Sequence, residues 1–115
     1  MSVEALEMLR LKSEFDSVKE MGKKIVTAHF IMLYISSSHI NARYGIICGR
    51  KFHKNAVVRN RARRIIKESL RHLQKNICHL DVLFIPKKGM TTLKQQVVEA
   101  EIMETLKRSG LWIEA

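Results

Sequence analysis

The chain has 115 residues, 46% of them apolar, which fits one domain with a core of its own and argues against disorder. Twenty-one Lys and Arg against eleven Asp and Glu leave a formal charge of +10, a self-repulsion that points to a polyanionic partner. Two cysteines, an apolar run no longer than Phe30–Ile35, and acids at Glu4 and Glu7 exclude a disulfide scaffold, a CxxC zinc site, a membrane span and a signal peptide; reduced thiols and a cytoplasmic location are expected.

Residues 2–11 (SVEALEMLRL) have helical composition, but the pattern does not decide between packing on the domain and projecting from it. Residues 1–10 are therefore set apart as a candidate extension or arm of a single domain over 1–115. Ser13 with Asp16 three residues on forms a weak capping box, and Phe15, Val18 and Met21 follow at helical spacing until Gly22, so a helix is predicted over about 13–21. Val26–Ile35 is rich in branched and aromatic residues, is followed by the turn-like SSSHINA, and resumes at Arg43–Gly49. That pattern predicts an antiparallel pair, with room for a further short strand.

The next segment carries almost the whole net charge. Arg50–Lys75 holds ten Lys and Arg and one acid, Glu68, whereas the rest of the chain nearly balances. Ala62, Ile65, Ile66, Leu70 and Leu73 fall on one stripe at 3.6-residue spacing with Ser69 between them, so a helix buries that face. Arg59, Arg63 and Lys67 form a row beside the stripe, with Arg64, Arg71 and Lys75 further round. Cations four apart repel, and a merely solvated face interleaves acids with bases, so the pattern favours an anion. Arg outnumbers Lys five to one between 59 and 71, and guanidinium groups grip phosphate bidentately and stack on bases, which favours nucleic acid over lipid.

Asp81–Pro86 (DVLFIP) reads as a central strand, and Thr91 and Thr92 precede a helical stretch to Arg108. A strand, the basic helix and a strand make a crossover on a mixed sheet, so the fold class is α+β, a two-layer sandwich. The row of Arg59, Arg63 and Lys67 is expected to overhang the sheet edge as one wall of a groove, with Phe15, Phe30 and neighbouring strand residues as the other. The histidines at 29, 39, 53, 72 and 79 lack metal-ligand spacing. No carboxylate pair, Ser-His-Asp order, GxxxxGK or GxGxxG stands out, so neither a protein active site nor a nucleotide cofactor is expected.

KNAVVRNRARRIIKESLR, Lys54–Arg71, closely resembles the AV.RNR..R segment of bacterial ribonuclease P protein components. Phe15, Val18 and Gly22 (F..V...G), His29 and Phe30, the YGI at 44–46 and the DVLFIPKKG at 81–89 follow in family order, so roughly residues 10–108 are covered. The resemblance implies an α-β-β-β-α-β-α domain of ribosomal-protein-like fold with a left-handed β-α-β crossover, an exception to the usual hand. It implies an RNA-binding subunit assisting a catalytic RNA that removes the 5′ leader of precursor tRNA. Mg²⁺ would be held mainly by the RNA, with no catalytic residue and no oligomer required of the protein.

The resemblance assigns RNA contact to Arg59, Asn60, Arg61, Arg63, Arg64, Lys67 and Arg71, with Lys51, Lys54 and Asn55 in the preceding loop. Asn60 reads equally as a cap of the helix start. The leader cleft takes Phe15, Lys19, Phe30 and Leu33, with packing in the core an equal reading for Phe15 and Phe30. Lys19 and Leu33 stand where the family often has aromatics, Tyr34 falls on the opposite strand face, and His53 and Lys54 replace the usual loop glycine. The alternative reading is a free-standing RNA-binding or ribosome-associated basic module. A helix-turn-helix DNA binder is more distant, because no second short helix precedes the basic one at the required spacing.

Overall fold

A computed structural model describes residues 7–114; residues 1–6, and with them most of the candidate arm, lie outside the described residues. In chain order the elements are β1 (Glu7–Met8), α1 (Lys12–Met21), β2 (Lys23–Val26), β3 (Phe30–Asn41), β4 (Arg43–Ile46), α2 (Ala56–Leu73), β5 (Cys78–Pro86) and α3 (Gln95–Arg108). Short 3₁₀ turns follow α2 and precede α3. The strands form one mixed sheet in the order β1-β4-β5-β3-β2. The order from α1 to α3 is the α-β-β-β-α-β-α expected, in an α+β domain.

Two local expectations change. The 26–35 and 43–49 segments do not pair with each other, because β5 lies between them, antiparallel to β3 and parallel to β4. The partner of β3 on its other side is β2. SSSHIN is strand rather than turn: β3 continues through it, Ser36 opposite Leu80 and Asn41 opposite Cys78, with a register shift between. His79, at the irregular end of β5, has φ 52°, the one positive φ among described non-glycine residues. β1, two residues pairing in parallel with β4, adds an edge strand that composition did not signal.

The start of α1 also differs from expectation. Ser13 is not its cap; Glu14 Oε1 accepts the backbone N–H groups of Arg10 and Leu11, both at 2.9 Å. Gly22 ends the helix through close approach rather than left-handed backbone. A Cβ there would lie 2.3 Å from the Val18 carbonyl oxygen and 2.8 Å from that of Tyr34.

Strand alternation then sorts the sheet into two faces. Phe30, Met32, Tyr44, Val82 and Phe84 face α2 and α3, where they form the main core with Ile66, Leu70, Val98 and Ile102. Leu83 faces the other way, packing with Leu9 and Val18 against Phe15, Leu33, Ile35 and Ile47 beneath α1. Gly45 is where α1 presses closest, since a Cβ would meet the Phe15 ring at 2.5 Å. No helix among the described residues is long and apolar enough to cross a membrane.

Candidate nucleic-acid interface

The basic helix is built as its periodicity requires. Ala62, Ile65, Ile66, Ser69, Leu70 and Leu73 are all buried, and the Ser69 hydroxyl donates to the Ile65 carbonyl at 2.8 Å. Its N-cap is Asn55, whose side chain accepts the Val57 N–H at 2.8 Å. Asn60 lies inside the helix and caps nothing; its Oδ1 accepts from Arg63 at 3.0 Å. The first turn carries no acid, so the positive end of the helix dipole stands unneutralised beside a cationic loop.

The cations of α2 divide into three kinds. Arg59 donates to the carbonyls of His53 and Lys54 at 3.0 and 2.8 Å, Arg61 to Thr91 at 3.0 Å, and Arg63 to Cys48 at 2.6 Å. Arg71 pairs with Glu68, the one acid of the segment, whose carboxyl is held below its ordinary value chiefly by that hydrogen bond. Arg64 and Lys67 are exposed and make no hydrogen bond or ion pair with any described residue. Apart from Arg71, then, no arginine or lysine of the helix is paired with a carboxylate among the described residues.

Lys51, Lys54 and Asn55 lie on the loop that precedes α2. Its tip, with Arg50, faces Lys88 and Gly89 across a hollow of about 450 Å³. The loop needs no glycine at 53 or 54, because no residue in it has positive φ. The Phe52 N–H donates to the Gly49 carbonyl at 3.0 Å, and the Phe52 ring is buried in the main core.

Among the described residues, Lys67 does overhang the sheet edge, lining a hollow of about 730 Å³ with Leu9, Leu11, Glu14, Arg43 and Tyr44, but Phe15 and Phe30 do not form its other wall. The α2 row and Phe15 sit on opposite faces of the sheet, because odd and even positions of the strands part company. Phe30, assigned to the leader cleft, is fully buried on the α2 and α3 side, edge-on to Phe84 with ring centroids 5.6 Å apart. Phe15 and Leu33 meet on the α1 face, half-buried, and Lys19 is exposed on α1.

Strand register adds residues that sequence reasoning missed. Lys24 lies opposite Leu33, Val26 opposite Ile31, and Ile31 opposite Ile85, which places all of them on the α1 face. Val26 is 57% exposed, and Ile31 and Ile85 belong to neither apolar cluster, so an apolar strip continues across the sheet beside α1. Ile47 and Ile85 also reach a hollow of about 430 Å³ shared with Arg50, Lys51 and Lys88. The alternation in DVLFIP was a readable signal for Ile85 once the register was known.

The acids are mostly engaged elsewhere. Glu14 and Asp81 bind Arg43, Glu101 binds His29, and Glu99 binds His72. Among the described residues no three His, Cys, Asp or Glu side chains gather as a metal site. Burial pushes the Cys48 thiol up, against the pull of Arg63 and Arg59.

The ribonuclease P family model matches residues 4–110. The chain is 33% identical to the ribonuclease P protein component of Pelotomaculum thermopropionicum, over 95% of this chain and 97% of that one. It is 31% identical to that of an Exiguobacterium strain, over 90% of each. In structure it resembles the RNase P protein from Thermotoga maritima, with TM-score 0.79 and 28% identity, covering 95% of this chain and 99% of that one. Its fold also matches that of the Staphylococcus aureus RNase P protein, with TM-score 0.80 and 19% identity, over 91% and 96% of the two chains.

Proposed function

The chain belongs to the ribonuclease P protein family, and from that premise we propose how the work of the ribonucleoprotein is divided. A catalytic RNA hydrolyses the phosphodiester that releases the 5′ leader of precursor tRNA, in the cytoplasm, and this chain binds that RNA and the leader. The observation that carries the reading is a helix docked by its apolar stripe while its outward cations, Arg64 and Lys67 above all, stand unpaired. Such a surface neutralises phosphates and releases counterions, which governs affinity and carries little sequence information.

The leader runs over the α1 face, where Phe15 and the half-buried strip from Leu33 to Ile85 offer surfaces for unstacked bases, and Lys19 and Lys24 offer charge. Mg²⁺ belongs mainly to the RNA. The carboxylates Glu14, Asp81, Glu99 and Glu101 are turned to the protein's own Arg and His, so phosphate oxygens are the better hard ligands. Nothing in this arrangement requires a second copy of the chain. The free-standing module loses its ground, since the family match spans nearly the whole chain.

Reconstitution tests the reading. Protein added to a bacterial ribonuclease P RNA at low Mg²⁺ should raise cleavage of precursor tRNA, and protein alone should cut nothing; absence of stimulation would refute it. A finer expectation concerns the unpaired cations. Arg64→Ala and Lys67→Ala should each lower the slope of log affinity against log salt by roughly 0.7 to 0.9, with the melting temperature unchanged. An unaltered slope would mean that these two side chains do not meet RNA.

A further inference from the structure

Three of the four arginines between residues 56 and 64, Arg59, Arg61 and Arg63, are already occupied within the protein, whereas Arg64, the last arginine of the AV.RNR..R pattern, bonds to no described residue. Arg59, Arg61 and Arg63 together reach four backbone carbonyls, those of Cys48, His53, Lys54 and Thr91. These carbonyls belong to the two loops that frame the cationic hollow: 48–54 leads into α2, and Thr91 follows Lys88 and Gly89. Arg50, Lys51 and Lys54 repel one another across a few residues, which would splay a loose loop. The clamped loop instead holds its amides in hydrogen bonds, Phe52 and His53 to the Gly49 carbonyl and Asn55 to His53 Nδ1.

We propose that Arg59, Arg61 and Arg63 are positioning residues: a carbonyl clamp that locks the 48–54 and 88–91 loops onto α2, so that Arg50, Lys51, Lys54 and Lys88 present a preset bay for RNA phosphates. This rests on the RNA-binding reading above. A preset bay spares the RNA the cost of ordering the loop on binding. Arg63 is the centre of the clamp, since one guanidinium plane spans the Cys48 carbonyl and the Asn60 amide at once. A lysine keeps the charge but lacks the rigid planar fork that holds both acceptors in fixed geometry. Asn60 thereby gains a role that charge could not give it: it aims Arg63.

Four single variants and one double separate the clamp from direct phosphate contact. Affinity for a bacterial ribonuclease P RNA is measured against salt, and amide hydrogen exchange of residues 49–55 is followed in the free protein. Arg108→Lys, on α3 and outside the bay, should stay within about twofold of the parent. Arg63→Lys should lose at least about fivefold although no charge is lost, and its salt slope should fall because the bay's cations no longer act together. Exchange in 49–55 should accelerate at an unchanged melting temperature.

Asn60→Ala, exposed and uncharged, should lose a comparable factor. Adding it to Arg63→Ala should cost nothing further, because both remove one coupling. Asn60→Ala also keeps the test intact should Arg63→Lys fold poorly. Parent affinity in both Arg63→Lys and Asn60→Ala, or unchanged exchange in the loop, would overturn the clamp. A parent protein that fails to bind the RNA would overturn the RNA-binding reading instead, with the exchange data still deciding the clamp.

Discussion

Phe30→Ala is expected to remove about 3–5 kcal/mol of folding stability, lowering the melting temperature by something of order 15 °C. The ratio of affinities for leader-bearing precursor and mature tRNA should stay unchanged. The ring is fully buried and edge-on to Phe84, opposite Pro86 at the end of the β3–β5 ladder, so its loss leaves a cavity and touches no RNA. Phe15→Ala should behave in the reverse way. The Phe15 ring is half-buried over Gly45 and Leu83 and loses less stability, while discrimination for the leader falls by about 1–3 kcal/mol if a base stacks there. Thermal melts and paired binding assays separate the two. An equal loss of affinity for both RNAs in Phe15→Ala would confine that ring to folding, and a loss of discrimination in Phe30→Ala would contradict its placement in the core.

The two phenylalanines show where sequence reading succeeds and where it stops. Both lie in segments that carry the family resemblance, and local pattern assigns each to the right element. Strand alternation already parts Phe30 and Leu33, three apart on one strand, but only the tertiary packing reveals that α1 covers the face of Leu33 while α2 and α3 cover that of Phe30. The basic helix was legible because its signal is local: the stripe from Ala62 to Leu73 repeats within one element, and tertiary packing agrees with it. SSSHIN was misread for the complementary reason. Its composition favours a turn, but the ladder to Leu80 and Cys78 holds it extended. β1 has two residues and depends on β4 for its existence, so no period could announce it.

The candidate interface was legible as composition and not as wiring. Counting charges finds the cations between 50 and 75, yet it cannot tell Arg64, which is unpaired, from Arg63, which donates to a carbonyl fifteen residues earlier. Asn55 and Asn60 illustrate the same limit. Each is an asparagine at a plausible helix start, but the cap falls at 55 because the helix begins at Ala56.

Arg43→Met is expected to cost about 3 kcal/mol of stability, although this arginine lies outside the basic segment. Its Nε and one terminal nitrogen bind both oxygens of Asp81 at 2.8 and 2.7 Å, and the other terminal nitrogen binds Glu14 at 2.6 Å. One guanidinium thus joins β4, β5 and the start of α1. Asp81 is 8% exposed, and removing its partner strands a carboxylate between strands, which is costlier than never having had the pair. Arg43→Met with Asp81→Leu should therefore recover most of the loss; a double variant no better than the single would show that Asp81 was not the stranded group. Acid adds an independent check. Glu14 is held below its ordinary 4.5, first by the backbone N–H groups of Leu11 and Arg10 and only then by Arg43. Its folded pKa is lowered, so the stability it contributes is present above 4.5 and fades as pH falls through the lower folded value. Because the backbone cap dominates, that acid loss should persist in Arg43→Met, and Glu14→Gln should flatten it in both backgrounds.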